Sequence, residues 1–342
     1  MGKTSIEWTD ASWNPIVGCT EVSPGCANCY AARLAATRLR EVRAYQGLAT
    51  GEVQKISRGA GSGHYFERWS IRWTGEVRFL PERLEEPLHW KKPQRIFVCD
   101  MGDLFHEGVK CEWKQKIFWV MREARQHTFQ VLTKRPRLMQ QFISEEFGEL
   151  HEPIPNVWLG VSVENQHFAD ERIPLLLATP AAVRWISAEP LLGSVDLNYV
   201  GPTGNTSSVL GCIPCMRKQE NATTQSGPHT CMEKRPKLDW VVCGGESGPN
   251  ARPMNPEWAR WLRGQCQAAG VPFFFKQWGE WAPAVRNNGE GDITWPDPDH
   301  DRSVKPFDFG PWMQRWGKKQ SGRLLDGREW NEFPKNVKTF ER

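Results

Sequence analysis

Three cysteines, Cys19, Cys26 and Cys29, fall within eleven positions of "NPIVGCTEVSPGCANCYAARLAATRLR", a loop rich in Pro and Gly that runs into an arginine-rich helix. Four thiolates would close a tetrahedral zinc site, and closed sites are structural. Three thiolates on a cuboidal iron–sulfur cluster leave one iron without a protein ligand, free to bind a small molecule. A second group, Cys212, Cys215, His229 and Cys231, has C-x2-C, thirteen residues, then H-x-C. That is the spacing of a small zinc knuckle holding one structural Zn2+. An auxiliary iron–sulfur cluster, or solvent-facing thiols in an insertion, are its alternatives. The single cysteines Cys99, Cys111, Cys243 and Cys266 read as small buried apolar residues.

The elements that must hold these groups alternate between short apolar runs and amphipathic stretches. The runs are Arg95–Cys99, Thr128–Thr133, Asn156–Val163, Val183–Pro190, Leu238–Ser247 and Val271–Trp278, with a first strand ending at Gly18. Nearly continuous apolar strands are those of a parallel sheet covered on both faces. Helices are expected from Lys110 to about Arg125, from near Pro136, after Glu164 and in "NPEWARWLRGQCQAAG"; six of the seven strands have a following helix. The fold class is α/β, a complete or partial (βα) barrel of six to seven parallel strands. The barrel domain spans residues 1–282. It carries a Gly/Ser-rich excursion at 48–73, expected to be a loop, and a Cys/His insertion at 198–237. Residues 283–342 form a basic, aromatic extension packed on the barrel.

In such a fold the functional groups stand at the carboxyl ends of the strands. The cysteine loop follows the first strand. Asp100, Asp103 and His106 follow the second, Thr133, Lys134 and Arg135 the third, Ser162 and Glu164 the fourth. Ser187 and Glu189 close the fifth, Gly244, Gly245 and Glu246 the sixth, Lys276 the seventh. Charge or thiol at all seven ends is best explained by one shared pocket.

Hydrophobic residues make up 39% and charged residues 25% of 342, which suits a globular chain with a sizeable core. No apolar run reaches the length of a membrane span, and "MGKTSIEWTD" lacks the apolar stretch of a signal peptide. Ten cysteines without an export signal fit a reducing, cytoplasmic setting and metal-binding thiols. The net charge of +4 permits an anionic partner.

The placement and count of Cys19, Cys26 and Cys29 resemble those of radical S-adenosylmethionine (SAM) enzymes. The spacing departs from the superfamily's C-x3-C-x2-C, and Asn28 stands where an aromatic residue is usual. The resemblance implies a [4Fe-4S] cluster on the three cysteines and SAM chelated by the open iron. It further implies an electron donor of flavodoxin or ferredoxin type and hydrogen abstraction from a substrate. By analogy with the superfamily's Gly-Gly-Glu element, Gly244, Gly245 and Glu246, with Ser162, Glu164, Ser187 and Glu189, would form the SAM pocket. Asp100, Asp103, His106, Lys134 and Lys276 would face the substrate.

Through "WNPIVGC", "CANCYA", "DMGDLFHE", "VLTKRP", "WLGVSVEN", "AEPLLG", "WVVCGGESGP", "FFFKQWGEW" and "LDGREWNEFP" the whole chain also resembles a phage- and mobile-element-associated three-cysteine-motif family of unknown function. Arg33, Arg38, Arg40, "TKRPR" and the basic aromatic tail would suit a nucleotide or nucleic-acid substrate, modified or repaired. Two readings of other classes stand beside the enzyme. One is a nucleic-acid-binding metalloprotein whose loop is completed by a fourth ligand such as His106. The other is a hydrolase using Asp100, Asp103, Glu164, Glu189 and Glu246 on a hard divalent metal.

Overall fold

The computed structural model describes residues 4–57, 65–148, 152–201, 207–211, 236–284, 303–304 and 312–335, with the side chains of 52–57, 65–69 and 303–304 excepted. Seven parallel strands form one sheet whose spatial order follows the chain: β1 (Ala11–Trp13), β2 (Arg95–Val98), β3 (Thr128–Thr133), β4 (Val157–Ser162), β5 (Val183–Ala188), β6 (Trp240–Gly244) and β7 (Phe273–Gln277). The sheet curls into a half-barrel with helices outside, and β1 does not pair with β7. Helices α1 (Tyr30–Ala36), α2 (Cys111–Glu123), α3 (Pro136–Phe147), α4 (Gln166–Leu177) and α5 (Pro256–Ala269) follow β1, β2, β3, β4 and β6. The β5–β6 connection lies partly outside the described residues.

Local chemistry sets the helix ends. Pro136 and Pro256 occupy first turns, where a missing N–H costs nothing. Asn165 caps α4 by accepting from Phe168 N, and Asn255 caps α5 by accepting from Glu257 N. Gly270, at φ 65°, ends α5 in the left-handed conformation.

Strand periodicity splits the core in two. Outward residues such as Ile96, Val98, Phe129, Val131, Leu159, Val241 and Phe273 join the helix-facing core. Their neighbours Phe97, Trp158, Trp185, Trp240 and Phe274 point inward and gather round Trp8, which precedes β1. Phe333 of the C-terminal segment stacks on Trp240 at 5.2 Å, and Asn331 bridges to Phe274 on the outer edge of β7. Trp330 also packs into the core, so these aromatics of the tail serve packing.

Three expectations are corrected. The first strand stops at Trp13, before Pro15, which has no N–H to give a ladder; Ile16–Val17 instead pairs antiparallel with Arg78–Phe79. The excursion at 48–73 is a β-ribbon, Ala49–Ser57 paired antiparallel with Tyr65–Trp73; the second arm alternates the β-formers Trp69, Ile71 and Trp73. The single cysteines are not all buried: Cys99, Cys243 and Cys266 are, but Cys111 is exposed at the start of α2. No helix among the described residues is long and apolar enough to cross a membrane.

Candidate metal and cofactor site

The cysteine loop leaves the barrel beside β1, turns through a 3-10 segment at Pro24–Cys26 and enters α1 with Cys29 as its N-cap. The amide of Cys26 donates to Ser23 O and that of Cys29 to Cys26 O, so two tight turns set the spacing of the last two thiols. Cys19, Cys26 and Cys29 all line one cavity of about 140 Å³ at the carboxyl ends of the strands. Asp100, Asp103, Lys134 and Ser162 line it too. Among the described residues no three His, Cys, Asp or Glu side chains are close enough together to share one metal ion.

Arg135 fastens one side of the loop. Its Nη1 lies 3.6 Å from Cys19 Sγ and 3.0 Å from Asp103 Oδ2, and its Nε donates to Glu107 at 2.8 Å. Its Nη2 donates to the backbone oxygen and hydroxyl of Thr20. Asp103 also accepts from Thr133 Oγ1 at 2.7 Å and from the amide of Phe105 at 2.9 Å. A guanidinium and carboxylate this buried are costly unless paired, and here both are saturated.

Glu164 supports the loop from below. Its side chain is fully buried, with Oε2 3.0 Å from Arg172 Nη1 and Oε1 2.5 Å from Ser23 Oγ. Lys134 Nζ stands 3.5 Å from Oε1. Gly25 rests against this carboxylate so closely that a Cβ there would overlap it, which explains a glycine between Pro24 and Cys26.

Glu246 holds the far side. Arg252 grips it along one guanidinium edge, Nη2 donating to Oε1 at 2.6 Å and Nε to Oε2 at 2.9 Å, while Nη2 also donates to Pro24 O. Asn28 donates to Glu246 Oε2 and to Asn250 O, both at 3.0 Å. Asn28 thus latches the loop to the strand-end turn. Gly245 is glycine because the Trp278 carbonyl occupies the space of its Cβ. The glycine pair joins two neighbouring strand ends rather than offering free backbone.

Burial opposes ionisation of the thiols. It pushes the Cys19 thiol up to about 12, Asp103 adding to the rise and Arg135 pulling against it. Cys29 is raised by burial as well, with the amide of Ala32 and the charge of Lys134 opposing. A bound cation would have to displace these protons, so metal uptake should release acid.

The sequence-derived sites fare unequally. Asp100 accepts from Asn14 Nδ2 at 2.5 Å, and burial raises its pKa. His106 takes the Gly108 amide on Nδ1 at 3.0 Å, so Nε2 carries the hydrogen shared with Thr20 at 3.1 Å. Both ring nitrogens are used, which removes it as a fourth metal ligand. Asp103, Glu164 and Glu246 likewise spend their oxygens on protein donors, against the divalent-metal hydrolase. Lys276 is apart from the cavity, bound to Glu189 at 2.8 and 3.0 Å. Ser162 and Ser187 are register partners on β4 and β5, and both are buried. Cys212, Cys215, His229 and Cys231 lie outside the described residues.

Sequence reasoning missed Arg172, Arg252 and Ser23, noted Asn28 only as standing where an aromatic residue is usual, and treated Arg135 only as a strand-end polar residue. A signal did exist: strand-end carboxylates at 164 and 246 each have an arginine within eight residues on the segment that folds back.

No curated protein and no solved structure matches the chain. One family model does, over residues 3–334, nearly the whole chain. The chain therefore belongs to the family described as "Protein of unknown function (DUF5131)".

Proposed function

We propose that this protein is a radical SAM enzyme acting on a nucleotide or nucleic acid, with Cys19, Cys26 and Cys29 holding a [4Fe-4S] cluster. The observation that carries the reading is the sharing of one cavity by three thiols at the carboxyl mouth of a parallel half-barrel. Thiolate sulfurs are the donors that hold iron–sulfur clusters, and a set of three leaves one iron of a cubane open. When bound, cluster and SAM would together supply one-electron cleavage of the sulfonium and a carbon radical able to abstract hydrogen.

The chain's own residues supply position and a dry setting. Arg135, Glu164 and Arg252 with Glu246 clamp the loop from three directions, and the aromatic floor excludes water. Of the carboxylates assigned to SAM, Glu164 and Glu246 are already committed. Glu189, with 17% of its side chain exposed and Lys276 and Gln277 as its partners among the described residues, is the carboxylate that could exchange Lys276 for the SAM ammonium. Lys134 supplies positive charge beside the thiols.

Anaerobic reconstitution with iron and sulfide tests this. A brown protein whose visible absorption bleaches on reduction and which converts SAM to 5′-deoxyadenosine supports the reading. A colourless protein that retains zinc on the first group, with no SAM turnover, overturns it in favour of a structural metalloprotein.

A further inference from the structure

The net charge of this chain is concentrated in one place. Residues 30–73, comprising α1, the turn after it and the β-ribbon, hold eight Lys and Arg against three Glu, a net +5. The whole chain carries +4, so the other 298 residues sum to −1. Arg38, Arg40, Arg43 and Arg72 are exposed, and among the described residues Arg38 and Arg43 have no carboxylate partner.

The ribbon is two-faced by register. Ala49 and Gly51 pair with Trp73 and Ile71 on one face; Trp73 and Ile71 pack with α1. The other face carries Thr50 opposite Arg72. With nine residues in each arm, the ribbon is about 30 Å long. Its base adjoins the candidate site: Trp73 lines the cavity of the three thiols, and Ile71 lines the neighbouring cleft with Asn28, Cys29 and Arg33.

We propose that the arginine-bearing face of the ribbon and the arginine turn at its base are a docking surface for duplex DNA. Exposed arginines meet phosphates, and a two-stranded ribbon fits the major groove of B-form DNA. The major groove of A-form RNA is too deep and narrow to admit side chains. The proposal names the substrate class for the function above and rests on that reading for its catalytic meaning, but it is tested by binding alone.

The test is fluorescence anisotropy of the full-length protein with labelled duplex DNA, duplex RNA and single-stranded DNA across a salt series. The variant R38E/R43E/R72E is compared with K116E/R122E, which reverses two charges at exposed positions on α2. Expected are preference for duplex DNA and a tenfold or greater loss in the first variant. Its slope of log affinity against log salt should be shallower by about 2–3, near 0.9 per phosphate contact. The second variant should bind almost as the parent. Equal losses in both variants, no loss in the first, or duplex RNA or single strands bound as tightly would overturn the proposal. Circular dichroism of both variants excludes misfolding as the cause of a loss. Because the readout needs neither iron nor SAM, failure here leaves the radical SAM reading standing. Failed reconstitution would equally leave the docking surface intact.

Discussion

The two ends of the half-barrel are built from the same strands and from the same inward-facing positions. At the amino ends the inward residues are Trp158, Trp185, Trp240 and Phe274, closed by Trp8 and Phe333. Two to six residues further on, the same parity of β3 to β7 carries Lys134, Ser162, Glu164, Ser187, Glu189, Gly244, Glu246 and Lys276. The lower end is stabilised by apolar area and ring contacts, such as Trp8 against Trp185 at 5.2 Å. The upper end is held by ion pairs whose net worth is small but whose disruption is expensive. One end makes the barrel rigid; the other uses that rigidity to hold a loop with few bonds of its own.

The sharpest way to break the contrast is Glu164→Gln. It leaves Arg172 buried without its counter-charge, so stability should fall by about 3–5 kcal/mol in denaturant titration. The cysteine loop should lose its support, and reconstituted iron should fall with it. A variant that is destabilised yet keeps full iron would show that Glu164 does not support the loop.

Trp185→Ala attacks the other end, at a cost of roughly 3–5 kcal/mol from lost burial. Iron content of the folded fraction should be unchanged. Iron loss in this variant would mean that the two ends are not separable.

Glu246→Gln and Glu189→Gln divide the upper end itself. Arg252 is about one-third exposed, so solvent screening limits the stability cost of Glu246→Gln to roughly 1 kcal/mol. Its main effect should be on the loop, read as faster alkylation of Cys26 and Cys29 and poorer iron retention. Glu189→Gln should keep iron and weaken SAM binding by equilibrium dialysis. Exchange of those two phenotypes would reverse the roles given to the two carboxylates.

The smallest effect is on pH dependence. His106 at the upper end and His127 at the lower are both held below the ordinary value of 6.5, chiefly by burial. The folded chain therefore binds fewer protons than the unfolded chain. The stability this represents is complete above 6.5 and is lost as pH falls through the folded values. His127→Gln should flatten the acid limb of a melting-temperature profile, and an unchanged limb would exclude His127 as a contributor.

Much of the architecture was legible because strand burial is written locally. The boundaries of β3 agree with its apolar run, and β4 and α5 differ by a residue at each end, since those signals need only the neighbouring residues. The ribbon at 48–73 was not legible: its glycines read as a loop, and the first arm lacks the period-2 apolar pattern that marks a strand.

The candidate site divides along the same line. Residue type and spacing by themselves determined that three thiols stand at one strand end and that every other end is polar, because a parallel βα fold collects those ends on one side. They could not determine which groups are free. Only the tertiary structure assigned Arg172 to Glu164, Arg252 to Glu246 and Arg135 to Asp103 and Cys19, and left Glu189 the more accessible carboxylate. The reason is electrostatic: the same carboxylate is a ligand when solvated and a strut when a guanidinium and neighbouring donors claim its oxygens. Which of these holds depends on distances between segments that the order of residues does not fix.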